Sequence, residues 1–194
     1  MVASKNEINP IFEAAKEIQL TFDNWKWRFC FIGGLAVMRW GEIRFTADVD
    51  VCLLCGFGNE EKYLKLLLDK FKPRIKDAFQ FALHNRVVLI NSSNDIPIDI
   101  SLSGIEFEDQ MINRASPFLF YPECELITCS AEDLIILKAF ADRTKDWHDV
   151  ETIIQRQGKK LDKNYIFNNL RPLILAKGNL NIEEELKVLF KKVQ

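Results

Sequence analysis

The spacing of hydrophobic and polar positions changes several times along the chain, and each change predicts an element. Apolar residues recur at helical intervals over 8–24 (Ile11, Phe12, Ala15, Ile18, Leu20, Phe22), with Pro10 near the start, so an N-terminal helix is expected. Phe29 to Ile32 is a continuous apolar run, read as a strand, that stops at Gly33-Gly34. A short helical pattern through Leu35, Ala36, Met38 and Arg39 follows and breaks at Gly41. From Ile43 to Val51 the alternation is strict. Ile43, Phe45, Ala47, Val49 and Val51 are apolar, and Arg44, Thr46, Asp48 and Asp50 are polar. A period of two predicts one strand with both aspartates on its polar face. Gly56-Phe57-Gly58 marks a turn, Glu60–Phe71 reads as an amphipathic helix ended by Pro73, and Ile75 to Phe81 as a shorter helix or irregular segment.

Val87 to Ile90 is an unbroken apolar run, which predicts a strand covered on both faces. A polar turn, Asn91 to Asp95, leads into a second alternating stretch and makes a hairpin. Ile96, Ile98, Ile100 and Leu102 form one face there, and Pro97, Asp99, Ser101 and Ser103 the other. Glu106–Asn113 is helical in pattern, and Phe118–Tyr121 and Glu125–Thr128 are short β-like pieces. Ser130-Ala-Glu-Asp133 has the character of a capping box before the apolar helix Leu134–Phe140. Helical patterns over Tyr165–Leu170 and Glu183–Val193, separated by Gly178-Asn-Leu-Asn181, finish the chain. The expected class is α+β: a small mixed sheet flanked by helices on one side, followed by a helical C-terminal part. The division expected is a core at 1–129, with the N-terminal helix, and a helical part at 130–194 that closes a cleft against it.

Candidate chemistry lies on the two alternating strands. Asp48 and Asp50 on one face repel each other unless a cation lies between them, and aspartate is otherwise depleted in strands. Asp99 is a third strand carboxylate; Asp95 reads as a turn residue instead. A glycine pair at a strand end, opening a helix, lets an anion approach backbone N–H groups, although most such pairs are only turns. Lys138 is a single cation in an apolar helix face and needs a partner or a route to water.

Composition narrows the picture. With 194 residues, 48% hydrophobic, fifteen of them Phe, the chain is a folded domain or a core with a helical appendage. No apolar run is long enough to span a membrane, and the polar N-terminus lacks a signal core. The five cysteines (Cys30, Cys52, Cys55, Cys124, Cys129) include Cys52-x-x-Cys55, but no second pair completes a zinc site. Residues three apart on a strand face opposite ways, so core thiols in a reducing compartment are expected. Net charge is −2, yet from Arg156 onward nine basic residues outnumber four acidic ones. A basic end beside an acidic site suits a polyanion such as RNA; a solvated helical surface is the plainer reading.

Gly33-Gly34 followed by Arg44-x-Thr46-x-Asp48-x-Asp50 resembles the signature of the DNA polymerase beta-like nucleotidyltransferase superfamily. Lys138, Arg143 and the group Lys145-Asp146-x-x-Asp149 are similar to the pattern of its AbiEii-type branch, the toxins of abortive-infection toxin–antitoxin systems. The resemblance implies an NTP-using, metal-dependent transferase of the cytoplasm. Asp48, Asp50 and Asp99 would be the catalytic, metal-holding carboxylates for Mg²⁺, two ions being expected and Mn²⁺ a substitute. Gly33, Gly34, Thr46, Lys138 and Arg143 would hold the nucleotide. The superfamily often has Gly-Ser at the turn, so here backbone N–H groups would serve in place of the serine hydroxyl. Arg44, Asp146 and Asp149 are supporting candidates. The two aspartates share a helix face, and orienting Lys138 and Arg143, holding a nucleotide hydroxyl, binding metal and joining an ion-pair network with Lys145 all remain open. The branch also implies an RNA acceptor such as tRNA and a cognate antitoxin. Small-molecule or protein acceptors, and a non-catalytic nucleotide-binding protein on the same fold, are the alternatives.

Overall fold

The computed structural model describes residues 9–122 and 124–193. Phe29–Phe31 form β1, which pairs antiparallel with β2, Val49–Leu54. β2 pairs in parallel with β5, Pro97–Ser103, so that Asp50 lies beside Asp99. β5 forms the expected hairpin with β4, Val87–Asn91, and the two-residue β3, Lys72–Pro73, lies on β4. On the other side β1 runs parallel to β7, Cys124–Thr128, itself antiparallel to β6, Ser116–Tyr121. The result is a seven-stranded mixed sheet in the order β3-β4-β5-β2-β1-β7-β6. The α+β class read from the sequence is the one observed.

Helices cover both faces of the sheet, not one. The reason is visible in β2, whose residues beyond Asp50 are apolar on both sides. Val51 and Leu53 belong to a core shared with α1 (Pro10–Trp25), α3 (Glu60–Lys70) and α4 (Ala78–Asn85). Cys52 belongs to a second core shared with α2 (Gly33–Trp40), α5 (Glu106–Arg114), α6 (Ala131–Ala141), α7 (Thr144–Gln157), α8 (Lys163–Lys177) and α9 (Asn181–Val193). That second core joins residues on either side of position 130. Cys55 lies in the first cluster and Cys52 in the second, as opposite-facing positions require, and all five cysteines are free and buried. Among the described residues no helix is long and apolar enough to cross a membrane.

Two further expectations need correction. Alternation over 43–51 does not make one strand, because only Val49 onward pairs with neighbours; 42–48 is a loop. Ile43 and Phe45 point to solvent, 76% and 83% exposed. In β4 only Val88 and Ile90 are buried, while Val87 and Leu89 are half-buried, so one face is fully covered and the other is not. The segment 75–81, read as a shorter helix or irregular, is irregular as far as Asp77 and helical from Ala78, the start of α4.

Candidate active site

The chain turns from β1 into α2 at Gly33, which has φ +55°, a left-handed conformation that glycine adopts without strain. Gly34 follows, and a Cβ on it would lie 2.3 Å from Thr46 Oγ1. The pair is therefore required by two side chains that press against the turn, Thr46 from the loop and Asp50 from β2. The Gly34 N–H favours the charged form of the Asp50 carboxylate beside it. Thr46 is buried and its hydroxyl donates to Asp48 Oδ1 at 3.0 Å, fixing the residue that leads into β2.

Asp48, Asp50 and Asp99 converge, with one carboxylate oxygen from each lying within 4.8 Å of the others. Burial, then the charges of Asp48 and Asp99, push the Asp50 carboxyl above the ordinary carboxylate range, against the pull of Gly34 N–H and Lys138. Asp99 is raised too, by burial and by Asp48, although the neighbouring guanidinium of Arg74 opposes the shift. Three crowded carboxylates are a donor set for a hard divalent cation, whose oxygen ligands they supply. The residues fit such an ion.

Across the cleft, α6, α7 and the loop at Arg44 present a chain of charges whose centre, Lys138 with Asp146 and Asp149, is buried. Lys138 is 7% exposed, and its Nζ lies 2.9 Å from Asp146 Oδ1 and 2.7 Å from Asp149 Oδ2. Arg143 closes on Asp146 through Nε at 2.5 Å. Arg44 grips Asp149 with both ends of its fork, Nε to Oδ1 at 2.9 Å and an Nη to Oδ2 at 3.0 Å. Three cations and two anions alternate, leaving one net positive charge beside the acidic cluster. Burial pushes the Asp146 and Asp149 carboxyls up, but the bonds from Arg143, Arg44 and Lys138 outweigh it and hold both below their usual range.

A cavity of about 340 Å³ lies between the aspartates and this chain of charges. It is lined by every residue singled out in the sequence as a site candidate except Asp149, which acts from behind through Lys138 and Arg44. Lys145, Leu134, Leu137 and Ala141 add to its wall. None of the basic residues beyond Arg156 lines it. Several are held elsewhere, Arg171 and Lys187 on Glu183 and Lys192 on Glu151. One residue of the site escaped the sequence altogether: Arg74, whose guanidinium bonds Asp99 from beyond β3. No local pattern marks it, since the contact depends on the order of strands in the sheet.

Residues 6–188 match the family described as a nucleotidyltransferase of unknown function, DUF6036. The chain belongs to that family. No curated protein matches it by sequence. Among solved structures it is similar in fold to ANT(2'')-Ia in complex with adenylyl-2''-tobramycin, with a TM-score of 0.54 at 14% identity over 96% of this chain and 100% of that one. It is also similar to an antigenic nucleotidyltransferase-like protein from Paracoccidioides brasiliensis, with a TM-score of 0.50 at 13% identity over 91% and 92% of the two chains.

Proposed function

We propose that the protein transfers a nucleoside monophosphate from an NTP to an acceptor hydroxyl, releasing pyrophosphate. The observation that carries this reading is the convergence of Asp48, Asp50 and Asp99 opposite the cationic α6–α7 wall. The three carboxylates would hold Mg²⁺, with Mn²⁺ as a substitute, and the ion would supply charge neutralisation at the triphosphate. Arg143 and Lys145 face the cavity as solvent-exposed cations and suit the β- and γ-phosphates. Lys138 stands behind them, held in place by its two aspartates, and adds positive charge where the leaving pyrophosphate develops its own negative charge. The acceptor oxygen would form its bond to the α-phosphorus as the bond to pyrophosphate breaks, and Asp99 would take the acceptor's proton.

RNA is the first acceptor on this reading, supported by the excess of basic residues after Arg156 and by the AbiEii-type resemblance. That resemblance would add a toxin role and a protein antitoxin as partner. A second reading, a small-molecule acceptor, is favoured by a specific observation: the cavity is lined by none of those basic residues. The protein would act in the cytoplasm, where NTPs and Mg²⁺ are supplied and its thiols stay reduced.

The test is incubation of the purified chain with Mg²⁺, each α-labelled NTP in turn and total bacterial RNA, beside Asp48→Asn. Label transferred to RNA by the wild type and lost in the variant supports the RNA reading. NTP-dependent transfer to an aminoglycoside or other small hydroxyl compound, insensitive to salt, supports the second. Wild-type activity in Asp48→Asn would overturn the assignment of the site.

A further inference from the structure

Pro73 pairs with Ile90, and Arg74 continues that ladder by donating its N–H to Leu89 O at 3.0 Å. Leu89 is in turn the register partner of Asp99, and Asp99 of Asp50. Arg74, Leu89, Asp99 and Asp50 thus form one row that runs from just beyond β3 across β4 and β5 to β2. Side chains in register on neighbouring strands leave the same face of a sheet. Arg74 reaches along this row, over β4, and places its guanidinium on Asp99 Oδ1. Among the described residues Asp99 is the guanidinium's only hydrogen-bonding partner, and the side chain is 27% exposed, with solvent on one side.

The charges add up in an informative way. Asp48, Asp50 and Asp99 carry three negative charges, and Arg74 cancels one. What remains matches a single divalent cation. Lys138, whose charge reaches Asp50, is already committed to two carboxylates of its own.

We infer that Arg74 is the built-in counter-ion of Asp99 and competes with a second divalent cation for it. The site then holds one divalent cation tightly at Asp48 and Asp50 and admits another only when the guanidinium moves aside. This rests on the metal-dependent transferase reading of the site. It makes Arg74 a positioning residue that sets how many ions bind and at what concentration.

The experiment is equilibrium binding of Mn²⁺ to the full chain, with free ion counted by electron paramagnetic resonance, for wild type, Arg74→Gln, Asp99→Asn and Asp48→Asn. The wild type should bind one ion tightly and a second at least about tenfold more weakly. In Arg74→Gln the second ion should tighten about tenfold or more, with the first little changed. Asp99→Asn should lose the second ion and keep the first, which tests the same division of labour without touching Arg74. Identical isotherms for wild type and Arg74→Gln, or loss of the tight ion in Asp99→Asn, overturn the inference. Wild-type binding no greater than that of Asp48→Asn would instead remove the metal site itself, and with it the transferase reading.

Discussion

A Cβ placed on Gly33 would lie 1.8 Å from Asp50 Oδ2. The glycine and the aspartate are therefore one device: the turn into α2 is shaped so that a carboxylate can lie against it. Gly33→Ala is expected to fail twice. The left-handed φ costs an alanine about 1–2 kcal/mol, and the methyl group forces Asp50 out of the cluster. The expected result is a lowered melting temperature together with loss of Mn²⁺ binding. A variant that melts lower but binds the ion normally would show that Asp50 is not held by the turn.

Lys138 has two carboxylates within 3 Å and almost no water. Removing one partner of a buried pair leaves uncompensated charge, typically at a cost of about 3–5 kcal/mol. Lys138→Met should lower stability by an amount near that range in urea unfolding, because Asp146 and Asp149 are then left to Arg143 and Arg44 alone. Full stability with lost NTP binding would mean that the lysine serves the ligand and not the scaffold.

The same two aspartates set a pH dependence. Their carboxyls are held below the ordinary range in the folded protein. A depressed folded value contributes stability that is present above the unfolded value, about 3.9, and is lost as pH falls through the folded one. The urea midpoint of the wild type should therefore fall as pH drops below about 4. In Asp146→Asn the midpoint should start lower and fall less steeply over that interval. Parallel curves for the two proteins would place the titrating groups elsewhere.

Much of the candidate site, as the structure assembles it, can be read from the sequence because these residues sit on local patterns. Period-two spacing isolates Asp99 on β5, the same spacing sets Asp50 apart near the start of β2, and a turn signal marks Gly33-Gly34. What the sequence conceals depends on tertiary neighbours. Arg74 meets Asp99 only because β3, β4 and β5 lie in that order. Asp149 shares a helix face with Asp146, yet its partnership with Arg44 spans 105 positions of chain. The basic residues after Arg156 look like a patch in sequence, but ion pairs such as Arg171 with Glu183 and Lys192 with Glu151 disperse it.

The loop 42–48 is the clearest case of a misleading pattern. Its alternation is real, but the polar residues, not the apolar ones, face inward. Arg44 is fastened to Asp149 and Thr46 to Asp48, so Ile43 and Phe45 are turned to solvent. A strand with its apolar face in the core would lose several kcal/mol on losing two large side chains, roughly 2–5 each. The loop predicts otherwise. Ile43→Ser and Phe45→Ser should each change unfolding free energy by no more than about 0.5 kcal/mol, while Thr46→Val, which removes the hydroxyl bond to Asp48, should weaken Mn²⁺ binding with little effect on the fold. Chemical unfolding of the three variants decides the matter. A large loss at Ile43 or Phe45 would mean that the alternating stretch packs as a strand after all, with the aspartates aligned by the sheet and not by the loop.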